Sequence, residues 1–404
     1  MRTLVFTSLY PSRAQPRHGI FVENRLAAIQ RTHQMPVRVV APVPWFPSSH
    51  PQFGRYARYA ATAAREVRMG NDVIYPRYLA LPWMGMYAHP ITMAVAGARA
   101  IRRLQQEGFE CDVIDAHYFY PDGVAAALIA ERSGVPLVIT ARGSDINLLP
   151  EFAWPRRMIL WAAARAQAIV TVSTALAKRL HELGVPGDKI NVVRNGVDTA
   201  RFVPVDRREA RERLGLTPGP LLVSVGNLVP EKGLDLVLDA LPYLPAVHLL
   251  VVGDGPERTR LLGRIESKEL SGRVTMMPTQ PQTELKWVYG AADILVLAST
   301  REGLPNVVLE ALACGTPVVA SRVGGVPEII TDQTAGRMVE KRSAEAFAAA
   351  IGAVLTSPPQ SEAIRRFAER FEWAVAAGAH LNVLEQAASA GIRPHAHRMA
   401  TRGQ

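Results

Sequence analysis

The sequence predicts an α/β protein of two Rossmann-like, doubly wound domains that face each other across a cleft. Three observations predict this. Short apolar runs alternate with helical stretches, the alternation pauses mid-chain and restarts, and 404 residues suit two ordinary domains better than one. A composition 48% hydrophobic and 20% charged excludes wholesale disorder and collagen-like structure.

In the first half, Leu4–Thr7, Val37–Ala41, Val113–Asp115, Leu137–Thr140 and Ala168–Val172 read as buried strands. Most are too short for helices and rich in Val and Ile. Helices are expected over Phe21–Thr32, Ile91–Glu107, Val124–Ser133 and Met158–Arg165. In the second half the strands are Leu221–Val225, Val247–Val252, Arg273–Met276, Ile294–Ala298 and Pro317–Ala320. The helices there are Leu234–Leu241, Glu257–Ser267, Gln282–Tyr289 and Asn306–Ala313. Between the halves, charged Asn195–Pro220 reads as a linker. The expected division is residues 1–195, residues 196–370, a crossover helix over 371–390 and a disordered tail over 391–404.

The formal net charge of +10 is uneven. Residues 1–106 carry a net +11, with 14 Arg, no Lys and only Glu23, Glu66 and Asp72 as acids. Residues 107–195 sum to −1 and the remainder to zero. Codon bias accounts for Arg over Lys but not for missing acids, so a basic face predicts an anionic partner. Cys111 and Cys314 are too few for a disulfide framework or a zinc site. The apolar run at the N-terminus is too short for a signal peptide, which points to the cytoplasm. Tyr78–Ala98 has no formal charge, but Pro82 and Pro90 argue for a buried or interfacial segment over a span.

Several patterns carry chemistry. In ASTREGLPNVVLEALACGTPVVAS, residues 298–321, a strand runs through a polar turn into a helix. Free amides at such a helix start suit phosphate or sugar oxygens. Glu302 lies in the turn and Glu310 in the helix, so one carboxylate can meet a sugar and the other a pair of vicinal hydroxyls. Alone, the pair equally fits a helix cap and a solvent-facing side chain. Gly226 follows a strand, and Lys232 stands with Gly233 at the next helix start, where charge and helix dipole both favour phosphate. It is not a Walker loop, since Gly-Lys-Ser/Thr is absent. Strand ends also carry Asp115-Ala116-His117-Tyr118 and Thr140-Ala141-Arg142-Gly143-Ser144-Asp145. The connection Leu9–Val22, with Gly19, is long for its kind.

Together these patterns resemble the retaining family 4 glycosyltransferases, with their Glu-x7-Glu signature and glycosyltransferase-B fold. The resemblance covers nearly the whole chain. Asn195-Gly196-Val197-Asp198 with Phe202 resembles the family's "NGVD…F", and Leu222–Gly233 its glycine-and-lysine loop. Val252–Pro256 resembles its "VGDGP" and Gly324–Glu328 its "GGxPE". Phe371-Glu372-Trp373 resembles the start of its last helix, which crosses back to the N-terminal domain.

The resemblance implies a nucleotide-diphosphate sugar donor in the C-terminal domain. Glu310 would bond the ribose hydroxyls and Glu302 the transferred sugar. The amides of Gly303 and Leu304 would hold sugar or phosphate oxygens, while Gly226, Asn227 and Lys232 line the diphosphate. It places Gly19 in a loop over the cleft and His117 beside the acceptor. Two positions depart from the family: Asn227 stands for its Arg, and Arg142 for its His. Arg142 is the candidate to supply the missing cation, with a salt bridge to Asp145 as the structural alternative. No Asp-x-Asp appears and no metal or other cofactor is expected.

The reading is therefore a retaining hexosyltransferase-like enzyme acting on a lipid-linked or saccharide acceptor, in polysaccharide or glycolipid biosynthesis. It is cytoplasmic and peripheral on an anionic membrane through residues 1–106. Closure about residues 195–200 and 371 would accompany binding. A sugar-nucleotide 2-epimerase of the same fold is the alternative. The aromatic, basic stretch Pro42–Arg77 argues for an acceptor surface instead. A nucleic-acid-binding module leaves Glu302, Glu310 and Lys232 unexplained, and a dehydrogenase lacks G-x-G-x-x-G after a strand.

Overall fold

The computed structural model describes residues 1–80 and 85–391. The tail expected after about Gly391 lies outside the described residues, as do residues 81–84 of the uncharged stretch. The chain forms two compact units, Met1–Val193 with Ala376 onward, and Arg194–Val375.

Among the described residues the first unit holds ten strands: β1 Thr3–Phe6, β2 Val37–Val40, β3 Val43–Pro44, β4 Arg65–Arg68, β5 Asn71–Ile74, β6 Arg77–Tyr78, β7 Val113–His117, β8 Leu137–Ala141, β9 Ala168–Thr171 and β10 Ile190–Val192. Eight form one sheet in the order β10-β9-β8-β7-β1-β2-β5-β4, while β3 pairs with β6. All the pairs in the large sheet are parallel except β4 with β5. The interior strands β1, β7 and β8 are buried along their whole length. Helices cover both faces of such a sheet, so its central strands are mostly apolar. The polar residues in them are buried too: Thr3 in β1, Thr140 in β8, and the ionisable Asp115 and His117 in β7.

The second unit adds β11 Leu221–Val225, β12 His248–Val252, β13 Val274–Met277, β14 Ile294–Leu297, β15 Val318–Ser321 and β16 Gly336–Val339. Their order is β13-β12-β11-β14-β15-β16, all parallel. Leu222, Leu249, Val251, Ile294, Val296 and Phe347 lie at the centre of its apolar core.

Among the parallel strands of each sheet the order reverses once, between β1 and β7 and between β11 and β14. Ligands of open α/β sheets bind at such reversals, outside the carboxyl ends of the strands. The loops that matter follow these strands: Thr7–Gly19 after β1, Tyr118–Gly123 after β7, Gly226–Gly233 after β11 and Ala298–Pro305 after β14.

Two expectations need correction, and one hairpin was not expected. The presumed linker Asn195–Pro220 contains the helix Arg207–Leu214, whose Arg207 and Arg211 bond Asp293 at 2.5 and 2.9 Å. Only Ala210 of that helix is buried, so it shows no apolar stripe to read. The hairpin β4–β5 also went unread. Its turn, Met69-Gly70, has both φ angles positive (46° and 79°), the two-residue geometry that joins antiparallel strands. The helix expected from Ile91 starts earlier, for Gly85–Gln106 runs through Pro90. Proline lacks the N–H that would reach the carbonyl of Met86, and the Tyr120 hydroxyl donates there in its place. Among the described residues no helix is long and apolar enough to cross a membrane.

Candidate active site

In the second unit the two loops at the sheet reversal bring Lys232 and Glu302 together. Lys232 Nζ donates to Glu302 Oε1 at 2.7 Å, and Ser299 Oγ donates to the same oxygen at 2.7 Å. Lys232 closes a short 3-10 turn, Pro230–Lys232, before the helix Leu234–Ala240. Its side chain lies against Gly226, with Lys232 Cε 3.8 Å from where a Cβ on that glycine would stand. Asn227 beside it is exposed.

Glu302 sits in the turn after β14, and the helix Asn306–Ala313 starts four residues past it, beyond Gly303, Leu304 and Pro305. A second motif holds this turn. Gly324 adopts φ +51°, and a Cβ there would stand 1.9 Å from the carbonyl oxygen of Glu302. Gly325 N then donates to Gly303 O at 3.0 Å. The paired glycines of GGVPE thus let one turn close on another, and Glu328 of that motif bonds Arg194 at 2.7–2.8 Å.

Glu310 lies deeper in the same helix, 8% exposed. Burial pushes its carboxyl up to about 7, against the lowering effects of the Tyr289 hydroxyl and the Arg201 charge. Tyr289 donates to Glu310 Oε2 at 2.7 Å and packs against Phe202, ring centroids 6.2 Å apart. Phe202 of the Asn-Gly-Val-Asp…Phe motif therefore braces the residue that holds Glu310. Asn195 of that motif donates to Asn306 Oδ1 at 2.9 Å, at the first turn of the Glu310 helix.

The first unit holds a second cluster at the ends of β7 and β8. Arg142 Nη2 donates to His117 Nδ1 at 2.9 Å, and His117 Nε2 meets Asp115 Oδ2 at 3.2 Å. On the other side His380 Nε2 meets the same Asp115 oxygen at 2.9 Å, while Arg25 Nη1 donates to His380 Nδ1 at 3.1 Å. Burial lowers both imidazoles, His117 to about 4, so both are neutral. Burial opposes the Asp115 charge, yet the two imidazoles hold its carboxyl well below the usual range. Arg142 is partly exposed and lies over the Phe21 ring at 5.0 Å.

Asp145 meets Arg142 through the backbone. Its buried carboxylate accepts from the amides of Phe119, Arg142 and Gly143 at 2.7–3.1 Å, which ties the loops after β7 and β8 together. Gly19, with φ +67°, starts the helix Ile20–Thr32. A Cβ there would stand 2.1 Å from the backbone of Leu9, so the loop closes on itself only because that residue is glycine. The loop walls a cavity of about 150 Å³ with Ser8, Tyr10, Gln15 and His18, completed by Tyr59, Tyr75 and Tyr78. Ser8 N donates to the buried carboxyl of Asp122, which burial pushes up to about 7.

Asp115, His117 and His380 offer three ligand atoms within 4.8 Å, a spacing a metal ion could use. Their hydrogen bonds argue against one. Arginine has no acceptor, so each Nδ1 facing a guanidinium carries the lone pair and each Nε2 carries the proton. The nitrogens turned toward Asp115 then have no lone pair for a cation.

Sequence reasoning missed four of these residues. Tyr289 and Arg25 sit in unremarkable helical stretches, and His380 is a lone histidine on an apolar helix. Ser299 stood inside the quoted motif, adjacent to Glu302 in space but not singled out.

Comparison with known proteins follows the same division. Residues 206–371 match the family model described as glycosyl transferases group 1, and residues 59–201 the one described as glycosyltransferase family 4. The chain is 31% identical over 358 residues to a putative teichuronic acid biosynthesis glycosyltransferase, TuaC, of Bacillus subtilis, covering 87% of this chain and 88% of that one. It is 34% identical over 332 residues to a D-inositol 3-phosphate glycosyltransferase of Mycolicibacterium gilvum, covering 76% and 74%. Among solved structures, sucrose-phosphate synthase of Thermosynechococcus elongatus superposes with a TM-score of 0.81 at 20% identity, covering 96% and 100%. HepE of Anabaena, solved with UDP, gives 0.72 at 20% identity over the same shares. The two-domain α/β architecture, both family matches and the Bacillus relative agree, and this chain belongs to the family 4 glycosyltransferases with the glycosyltransferase-B fold.

Proposed function

We propose that this glycosyltransferase moves a sugar, with retention, from a nucleotide-diphosphate sugar to a hydroxyl of a lipid-linked saccharide. The observation that carries the donor side is Lys232 bonded to Glu302 at the sheet reversal, with Glu310 buried in the following helix. A cation, a partly covered carboxylate and a deep carboxylate match a diphosphate, a sugar and a ribose diol in turn. HepE has been solved with UDP and with UDP-glucose, in keeping with this donor class.

In this reading Lys232 and the amides of Gly303 and Leu304 hold the phosphate and sugar oxygens, next to Gly226 and Asn227. Glu310 accepts from the ribose hydroxyls and Glu302 from the transferred sugar. Arg142 adds positive charge toward the leaving diphosphate, so side-chain cations rather than a metal carry the charge stabilisation. The bond from the anomeric carbon to the diphosphate breaks. The acceptor oxygen bonds that carbon on the same face, and its proton passes to the departing phosphate oxygen. The cavity under the Gly19 loop takes part of the acceptor. The Bacillus relative's name places that protein in teichuronic acid biosynthesis, in keeping with a saccharide acceptor.

The acceptor's lipid is proposed from one exposed face. Tyr87, Ile91 and Val95 stand one helical turn apart on Gly85–Gln106, each about half exposed, and Trp154 lies 6.0 Å from Tyr87. Arg99, Arg102 and Arg103 follow on that helix, and Arg156 and Arg157 follow Trp154 on the helix Ala153–Arg165, all exposed. Aromatic and apolar side chains on helices that also carry exposed arginines suit an anionic leaflet. The reading puts the enzyme on the cytoplasmic face, held peripherally.

A panel of nucleotide sugars tests the reading. One donor should raise the Tm through preferential binding to the folded state, and should be consumed with a lipid extract to give a glycosylated lipid of retained configuration. Epimerised donor without transfer would favour the 2-epimerase, and inversion at the anomeric carbon would overturn retention. Full activity after chelation is expected.

A further inference from the structure

We propose that His380, carried by the last helix, is a positioning residue for glycosyl transfer, completing a chain of side chains Arg25–His380–Asp115–His117–Arg142 that orients the Arg142 guanidinium. The inference rests on the reading of Arg142 as a cation of the reaction.

Each link is a direct contact: 3.1 Å from Arg25 to His380, 2.9 Å to Asp115, 3.2 Å on to His117 and 2.9 Å to Arg142. Four separate segments supply the members: the helix Ile20–Thr32, the last helix Trp373–Gly391, the end of β7 and the residue following β8. All but Arg142 are nearly inaccessible, at 0–3% exposure. The directions of the bonds leave no choice. Guanidinium only donates and ionised carboxylate only accepts, so each neutral imidazole accepts at Nδ1 and donates at Nε2. The rings lie nearly parallel, at 22° with centroids 5.8 Å apart.

Two consequences follow. Both nitrogens of His117 are engaged, so His117 does not orient the acceptor itself; it offers the lone pair that seats Arg142. Asp115 depends on His380 for one of its two donors. Its other oxygen, Oδ1, has no hydrogen-bond partner, so the loss of His380 leaves a buried carboxylate with the His117 proton alone. That concentrates the Asp115 charge on His117 and disturbs the ring on which Arg142 is held. The helix Ile20–Thr32 braces the arrangement at both ends. Phe21 lies under Arg142, and Arg25, one turn on, bonds His380 and the carbonyl of Val193 at 3.0 Å.

The test uses the full-length enzyme and four variants, assayed for transfer well below the lowest Tm. Glutamine offers one acceptor and one donor at imidazole-like spacing, so His380→Gln keeps both bonds, while His380→Phe keeps the ring and neither bond. His380→Phe is expected to lose kcat on the order of tenfold or more with donor KM unchanged, and His380→Gln to recover most of it. Val383→Ala, a packing change on the same helix, should lower Tm without lowering kcat. If His380→Phe does not fold, His380→Asn, too short to meet both partners, replaces it. Wild-type kcat in the variant lacking both bonds overturns the inference, as does a kcat loss that tracks Tm in Val383→Ala as well. Arg142→Ala separates the two readings. If it keeps full turnover, the role of Arg142 fails; if it is inactive while His380→Phe is normal, only the role of His380 fails.

Discussion

Lys232 and Glu302 bond each other, so each is held in place before a ligand arrives. Removing the cation takes the Lys232 charge away from Glu302, whose side chain is 10% exposed. Lys232→Ala should therefore cut kcat by roughly 10²–10³, as loss of a charge-stabilising donor does elsewhere, while circular dichroism stays native. Equal turnover in the variant would remove Lys232 from the chemistry. Glu310 gives a pH signature. Burial raises its carboxyl to about 7 in the fold, and a ribose diol is bound by the ionised form. Nucleotide affinity should rise between pH 6 and 8 with release of about one proton per site. For folding the sign is opposite. A carboxyl raised above its unfolded value contributes stability below that value, and this is lost as pH rises through about 7. Glu310→Gln should flatten both profiles, and an unchanged affinity profile would mean that Glu310 is not the titrating group.

At the scale of elements, two turns after neighbouring strands fix the donor loop. The turn before Val326–Ile329 closes on the turn that holds Glu302 because Gly324 has no Cβ. Gly324→Ala combines a left-handed backbone with a 1.9 Å contact to the Glu302 carbonyl, so a loss of roughly 2–4 kcal/mol of stability is expected. Chemical denaturation measures it, and transfer should fall more than the folded fraction does, since Glu302 shifts with its turn. The elements also show where sequence patterns succeed. The strand Leu221–Val225 and the helices Val124–Ser133 and Asn306–Ala313 were legible to the residue, because a buried parallel strand is continuously apolar and a core helix repeats its apolar face. The charged helix Arg207–Leu214 was not, because ion pairs to Asp293 rather than an apolar face hold it.

At the scale of the whole molecule, the proposed leaflet contact rests on exposed Tyr87, Ile91, Val95 and Trp154 and on five exposed arginines of the same two helices. Of these, Arg99, Arg102 and Arg103 belong to the basic first quarter and Arg156 and Arg157 do not. Binding to vesicles rich in phosphatidylglycerol should weaken steeply as salt rises from about 0.05 to 0.5 M, since each arginine near the leaflet contributes about 1 kcal/mol that salt screens. Neutral vesicles should bind poorly, and the double substitution Tyr87→Ser, Ile91→Ser should weaken binding at every salt concentration without lowering Tm. Salt-independent binding, or none, would remove the leaflet from the account.

What the amino-acid order determined by itself is local: the strand–helix rhythm, the turns that need glycine, and the spacing that puts Glu302 in a turn and Glu310 within the next helix. These follow from periodicity and from backbone sterics over a few residues, so they can be read along the chain. The tertiary structure alone decided which side chains meet. Lys232 and Glu302 are seventy positions apart, and His380 stands 265 positions from Asp115. No periodicity encodes such a contact. It arises where the strand order reverses and where the last helix joins the first unit, and the hydrogen-bond directions that set each proton follow only once the partners are in place.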